Sequence, residues 1–136
     1  MKNKRCLLAS LAVFVVIGVL EMVIHGGLLK GIYQQTASVW RPEAEMMKMM
    51  WIMWVGYLIM APLFTYLFSK GVEEGKGMVG QGLRFGLLIG IFIGAPMSLG
   101  WYVVLPIPGI LAFYWFAAGL VESLAAGLTV GLIYRK

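Results

Sequence analysis

The stretch LLASLAVFVVIGVLEMVIHGGLL, residues 7–29, decides the fold because it is almost entirely apolar. Its length matches the roughly 20 residues with which a helix crosses about 30 Å of hydrocarbon. Three further apolar stretches lie at about residues 49–68, 83–105 and 110–133. None alternates with a period of two, so each is predicted to be a helix. The sequence therefore predicts an all-α fold, a single-domain integral membrane four-helix bundle over residues 1–136.

Composition indicates that lipid is the surrounding solvent. The chain has 136 residues, of which 61% are hydrophobic and 12% charged, and its mean hydropathy is +0.88. A soluble domain of this length could not bury so much apolar surface. The single cysteine, Cys6, excludes an intramolecular disulfide and a cysteine-based metal cluster.

The N-terminal residues also fit the start of a secretory signal peptide, since Lys2, Lys4 and Arg5 precede an apolar run. No Ala-x-Ala-like cleavage site follows, and apolar residues continue past Glu21 to Leu29. We therefore interpret this segment as a retained first span.

The basic residues predict the orientation of the spans. Four spans place both termini and the connection between spans two and three on one side, and this side holds most of the Lys and Arg. Basic residues favour the cytoplasmic side, so both termini are predicted to be cytoplasmic. The net charge of +5 then reflects topology and contact with anionic lipid, with no nucleic acid as a partner. The residues on the basic side are Lys2, Lys4, Arg5, Lys70, Lys76, Arg84, Arg135 and Lys136.

Two glutamates within the apolar stretches, Glu21 and Glu122, are the most unusual residues of the chain. A carboxylate inside a bilayer costs roughly 2.5 kcal/mol or more, so such a residue is a candidate for function. Glu21 lies one turn before His25, and the antiparallel first and fourth spans place the two glutamates at nearly the same depth. Helical spacing predicts that one face of the first span points into the bundle. That face comprises Phe14, Gly18, Glu21, His25 and Leu28.

Two prolines, Pro62 and Pro96, are predicted near mid-membrane in the second and third spans. Each is expected to kink its helix and to free a carbonyl group, that of Leu58 or Phe92. Interrupted helices with carboxylates at the midplane form the cation sites of many transporters. This convergence favours a proton or cation site made by the two glutamates and the histidine. A buried Glu–Glu or Glu–His hydrogen bond that fixes helix register remains the alternative.

Small residues recur at every fourth position of the third and fourth spans. Such ridges let helix backbones approach closely where no hydrophobic effect drives association. Two ridges on consecutive helices are expected to pack on each other, and a homo-oligomer interface is the alternative. The ridge residues are Gly82, Gly86, Gly90 and Gly94 in the third span and Gly119, Ser123, Gly127 and Gly131 in the fourth.

A methionine group, Met46, Met49, Met50 and Met53, shares one helical face at the outer end of the second span. Thioethers are suitable ligands for Cu(I), and the Met-xxx-Met spacing resembles that of copper uptake transporters. The number of helices differs from that family. Methionine also fills irregular apolar gaps, and we favour this packing interpretation.

Catalytic motifs are missing from the sequence. It has no Ser–His–Asp set, no second histidine for haem or zinc ligation and no Gly-rich nucleotide motif after a strand. We therefore favour a protein that is not an enzyme and has no organic cofactor. A metal ion at Glu21, His25 and Glu122 stays open, because three ligands from one chain are a weak signal unless a dimer doubles them.

Two stretches, GLLIGIFIGAP at residues 86–96 and GLIYRK at residues 131–136, resemble small four-helix bacterial membrane proteins of unknown function. The resemblance covers about the last third of the chain and implies a multi-pass protein of the bacterial inner membrane. The size of the chain and the glutamate of its first span also resemble small multidrug-resistance exporters. The following histidine, the second intramembrane acid and the long outer loop depart from that family, so its function is not transferred.

Two functions are consistent with these patterns. The first is a small proton-linked transporter or cation-conducting protein that uses the Glu/His group. The second is a non-catalytic structural or accessory subunit of a larger membrane complex, with the glycine ridges as docking surfaces. The expected partners are the lipid bilayer and either a second copy of the chain or other subunits.

Overall fold

The computed structural model describes the backbone of residues 2–134 and the side chains of residues 4–134. This part of the chain is helical, without a strand, which confirms the predicted all-α class. A π-helical turn, Ile24–Leu28, directly continues the first helix, and a 3₁₀ turn, Ala37–Val39, follows the second. The helices are α1 Lys2–Val23, α2 Lys30–Gln35, α3 Glu43–Lys70, α4 Met78–Val104 and α5 Gly109–Ile133.

In the described part of the chain, four helices are long and apolar enough to cross a membrane, judged by length and composition. They are residues 4–28, α3, α4 and α5. The four predicted spans overlap them closely, and α3 begins at Glu43, directly after Pro42 and ahead of the predicted membrane-spanning stretch at about residues 49–68. The outer loop predicted between the first two spans, residues 31–48, is partly helical, since α2 and the 3₁₀ turn occupy its first part.

A buried cluster brings the four long helices together at the end of the bundle where α3 stops and α4 begins. α1 packs on both α3 and α5, whereas α4 packs mainly on α5. The ring of Phe85 on α4 lies 4.9 Å from that of Phe64 and 5.7 Å from that of Phe68, both on α3. The buried members of this cluster are Ala9, Val13, Ile17, Ala61, Phe64, Phe68, Ala126 and Val130.

α4 and α5 approach each other at their glycines. A Cβ atom placed on Gly82 would overlap the carbonyl of Gly127 and would lie 3.1 Å from the Cα of Gly131. A Cβ on Gly86 would overlap the carbonyl of Ser123 in the same way. The two ridges therefore pack on each other within one chain, because only residues without a side chain permit backbone contact here.

The contact changes character toward the α4–α5 connection. A Cβ on Gly90 would lie 3.0 Å from the Leu120 side chain, and one on Gly94 would lie 3.3 Å from the Phe116 ring. Gly119, predicted to belong to the ridge, has no atom within 4 Å of its Cβ position among the described residues. Side chains of α5 fill the space between the helices at this end, so the prediction for Gly119 is wrong.

The two prolines do not mark a break in the bundle. α3 and α4 keep helical backbone through Pro62 and Pro96. Both prolines are exposed on the outer surface of the helices, as are Leu58 and Phe92, whose carbonyls lose their usual donor. Their contribution to the carboxylate site stays a prediction, and the irregular backbone next to that site lies in the π-helical turn of the first span.

The predicted orientation rests in part on residues outside the described ones. The side chain of Lys2 and the whole of Arg135 and Lys136 fall there. Among the described basic residues, Lys70 ends α3 and Lys76 precedes the start of α4. The basic connection between α3 and α4 is thus present as predicted, while the cytoplasmic location of the termini stays a prediction.

Candidate functional site

The three residues singled out from the sequence come together between α1 and α5. One ligand atom from each of Glu21, His25 and Glu122 lies within 4.8 Å of the other two. The Nε2 atom of His25 is 3.7 Å from Oε2 of Glu21. Ala118 and Ala126, one turn before and after Glu122, are buried, so this face of α5 packs inward. The small alanines leave room for the carboxyl group of Glu122 beside α1.

Glu21 is held by a residue that the sequence did not single out. The Tyr57 hydroxyl on α3 donates a hydrogen bond to Oε1 of Glu21. Tyr57 packs edge-on against Trp54, with ring centroids 6.0 Å apart, and Trp54 lies over Gly18. A Cβ on Gly18 would lie 2.7 Å from the Trp54 ring, so glycine permits this close approach. The bond leaves Oε2 of Glu21 facing His25.

His25 is held on its other side by a tyrosine of α2. Its Nδ1 atom lies 2.6 Å from the Tyr33 hydroxyl, and the Trp115 indole N–H donates to the same hydroxyl at 2.7 Å. An indole can only donate, so the Tyr33 oxygen accepts from Trp115 and its own proton can go to Nδ1. The same oxygen has a second lone pair and can instead accept from Nδ1–H, so the tautomer of His25 decides which way this hydrogen bond runs.

Aromatic packing holds α2 against the end of the bundle at which His25 lies. The Tyr33 ring meets Trp40 edge-on at 5.6 Å, and Trp40 lies 5.9 Å from the Trp115 ring. The Trp40 indole donates to Oγ1 of Thr36 at 2.9 Å, and Thr36 donates to the Ile32 carbonyl at 2.8 Å. Burial raises the pKa of Tyr33 above its ordinary value of 10.0, so its hydroxyl stays protonated at neutral pH.

The π-helical turn changes which residues face inward after His25. The N–H of Leu29 donates to the Ile24 carbonyl at 2.8 Å, a bond across five residues instead of four. Leu28 is consequently 77% exposed, whereas Leu29 is only 8% exposed. The prediction that Leu28 shares the inward face was therefore wrong, because it assumed a regular α-helical period. Single π-turns occur frequently at functional sites.

One atom of the group has no hydrogen-bond partner. Oε1 of Glu122 is buried, and none of the described residues donates to it. A buried polar atom left unsatisfied costs about 1–3 kcal/mol, so it calls for an explanation. The sequence has no Lys or Arg between Arg5 and Lys30 or between Arg84 and Arg135, so α5 brings no basic side chain to the site. A bound proton or cation would satisfy this atom.

The residues missed from the sequence are all aromatic. Tyr57 lies deep in the second span, away from the membrane interface that tyrosine prefers, and this position was the available signal. Tyr33 and Trp115 gave no such signal, because Tyr33 lay in a predicted loop and Trp115 fitted an ordinary aromatic belt. Their convergence depends on the fold of α2.

The methionine face occupies the outer part of α3. Met46, Met49 and Met53 are exposed and Met50 is half-buried. They do not fill gaps in the described core, so the packing interpretation favoured from the sequence is not supported.

Comparisons with family models, with curated proteins and with solved structures give no match for this chain. The resemblances drawn from the glycine-rich stretches therefore stay predictions. Function has to be inferred from the geometry of the Glu/His group.

Proposed function

We propose that this protein is a small multi-pass membrane protein that binds a cation at Glu21, His25 and Glu122 and moves it across the bilayer. The observation that carries the proposal is the buried, unpartnered Oε1 of Glu122 beside two further protonatable side chains. Intramembrane acids that converge in this way are expensive, and they recur in ion and proton pathways.

The outer surface of the helices supports the membrane part of the proposal. Large apolar side chains are exposed along all four long helices, among them Phe92 at 78% and Val103 at 84%. Continuous apolar surface of this extent suits lipid and not water. The basic α3–α4 connection favours a cytoplasmic location for this end of the bundle, and the bacterial inner membrane is the membrane that we propose.

The exposure of the group suggests how a cation reaches it. The His25 side chain is 31% exposed and that of Glu21 is 16% exposed, whereas Oε1 of Glu122 is buried. A cation would therefore meet His25 and Glu21 first and Glu122 last. Tyr57 keeps Oε1 of Glu21 occupied, so Oε2 is the atom that receives the cation.

Ion flux into proteoliposomes tests the proposal. The purified chain should carry protons or metal cations down a gradient, followed with dyes enclosed in the vesicles. Glu21→Gln and Glu122→Gln should each lower the flux at least about tenfold, because a neutral amide neither exchanges a proton nor balances a cation. Glu45→Gln, which neutralises an exposed acid at the start of α3, is the matched control. Wild-type flux in both site variants, or no flux of any tested cation, overturns the proposal.

The Tyr57–Glu21 hydrogen bond favours a second candidate, a structural or accessory subunit of a larger membrane complex. In that role Glu21 fixes α3 against α1, and the protein transports nothing. Purification from native membranes distinguishes the two. Co-purification of stoichiometric partner subunits, together with no flux from the isolated chain, favours the accessory role, whereas a stable homo-oligomer free of other subunits contradicts it.

A further inference from the structure

The three converging side chains offer one imidazole nitrogen and two carboxylate oxygens. Bonds of about 2.0–2.2 Å from a metal ion to such ligands put neighbouring ligand atoms roughly 3.3–3.6 Å apart. Nε2 of His25 and Oε2 of Glu21 are already 3.7 Å apart, and one carboxylate oxygen of Glu122 lies within 4.8 Å of a ligand atom of each of these two residues. Closer approach of the Glu122 carboxyl group would complete a three-ligand set that leaves further coordination positions open.

Hydrogen bonds with neighbouring tyrosines orient two of these ligands. A histidine that binds a metal through one ring nitrogen usually donates a hydrogen bond from its other ring nitrogen. Here Nδ1–H of His25 can donate to the Tyr33 oxygen, which lies 2.6 Å away and also accepts from Trp115, and in this tautomer Nε2 carries no proton and is available to a metal. Tyr57 occupies Oε1 of Glu21 and leaves Oε2. Nε2 of His25 and Oε2 of Glu21 are thus the ligand atoms left available, and they lie 3.7 Å apart.

The buried oxygen of Glu122 supplies the third donor. Oε1 is enclosed by protein and lacks a donor among the described residues, so a positive ion at the centre of the group would relieve its desolvation. Two carboxylates balance the charge of one divalent ion, whereas a monovalent ion leaves one negative charge uncompensated. In an apolar span this difference favours a dication.

The nitrogen ligand narrows the choice among dications. Mg²⁺ and Ca²⁺ prefer sites built entirely from oxygen. Imidazole together with carboxylates suits Zn²⁺ and the other first-row transition metals. The site contains no thiolate, because the single cysteine, Cys6, lies far along α1 from Glu21. A site without sulfur likewise favours a borderline metal ion over a soft one such as Cu(I).

We propose that Glu21, His25 and Glu122 bind one divalent first-row transition-metal ion, with Zn²⁺ as the model ion. This inference rests on the proposed function, because it names the cation that the site takes. Tyr33 and Tyr57 act as positioning residues that hold the histidine and the first glutamate. The exposed methionine face on α3 is a separate feature and takes no part.

Titration of the detergent-purified full chain with Co²⁺, followed by visible absorption, tests the site, with Zn²⁺ as competitor and Mg²⁺ as negative control. We expect one ion per site, displaced by Zn²⁺ and not by Mg²⁺. Glu122→Gln and His25→Gln should abolish tight binding, and Tyr33→Phe should weaken it about 10–100-fold. Glu45→Gln and a variant with leucine at Met46, Met49, Met50 and Met53 should bind like the wild type.

Several outcomes overturn the metal site. They are wild-type affinity in Glu122→Gln, loss of binding in the methionine variant, and the absence of any Co²⁺ signal. Tyr33→Phe keeps all three ligands, so it remains informative if a ligand variant fails to fold, and unchanged affinity in Tyr33→Phe also counts against the geometry. If the chain binds no metal but shows Glu122-dependent proton flux in proteoliposomes, only the metal site is ruled out. Metal binding without flux of any cation removes the transport function instead.

Discussion

The Tyr57 hydroxyl on α3 donates a hydrogen bond to Oε1 of Glu21 on α1, so the acid of the first span is tied to a neighbouring helix. The same bond leaves the other oxygen of Glu21, Oε2, facing His25. Trp54 sets the position of Tyr57 by packing over Gly18. An interhelical contact and the orientation of a site residue thus depend on one phenol.

Tyr57→Phe should destabilise the protein, because it removes the donor and leaves Oε1 of Glu21 unpaired. A buried acceptor left without its donor costs about 1–3 kcal/mol. Thermal unfolding of the detergent-solubilised variant measures the loss. Tyr66→Phe, at an exposed tyrosine about two and a half turns further along the same helix, should unfold like the wild type. Equal melting temperatures for Tyr57→Phe and Tyr66→Phe would show that the bond contributes nothing to stability.

Tyr33→Phe should change the environment of the single histidine. His25 loses its partner at Nδ1, and the Trp115 indole loses its acceptor. Because the chain has one histidine, its ring nitrogens give unambiguous ¹⁵N resonances. We expect the Nδ1 resonance to move and the Trp115 indole proton to exchange faster with solvent. Tyr114→Phe, at an exposed tyrosine next to Trp115 in the sequence, should leave the histidine signals in place.

The helices and the convergence of the acids could be predicted from the sequence for simple reasons. Apolar length sets the spans, and antiparallel connection places Glu21 and Glu122 at similar depth. The four-residue spacing of glycines predicts the α4–α5 contact, since backbone contact is available only where side chains are absent. These features follow from local pattern and chain direction.

The features that were not predicted correctly from the sequence depend on tertiary contacts or on irregular backbone. The π-turn after Val23 moves Leu28 outward and Leu29 inward, and no period in the sequence announces it. The folding of α2 over the bundle end, which brings Tyr33 to His25, depends on aromatic packing between distant segments. Gly119 repeats the ridge spacing, but side chains of α5 already fill the space there.

The connection between α3 and α4 should respond to acid through Glu73. Hydrogen bonds from Lys76 and then from Arg84 hold the pKa of Glu73 below its ordinary value of 4.5. A lowered folded-state pKa stabilises the fold above the unfolded-state pKa, and this contribution is lost as the pH falls through the folded-state pKa. A ¹³C titration of the Glu73 carboxyl should therefore give a midpoint below 4.5.

Two variants check the cause of that shift. Lys76→Gln and Arg84→Gln each remove one donor, so either should raise the Glu73 midpoint toward its ordinary value. The Lys76 variant should have the larger effect, since that hydrogen bond is the main cause. A midpoint at or above 4.5 in the wild-type chain would contradict the ion pairs.

Gly82→Ala should weaken the α4–α5 contact, whereas Gly80→Ala on the same helix should not. The new methyl group at Gly82 would overlap the carbonyl of Gly127, and backbone cannot rotate away as a flexible side chain can. Overpacking of this kind costs about 1–3 kcal/mol. Gly80 has open space at its Cβ position, so alanine there adds helix propensity, worth up to about 1 kcal/mol. The free energy of unfolding in mixed micelles should thus fall in Gly82→Ala and rise in Gly80→Ala. Equal stability of the two variants would show that the helices are not in backbone contact.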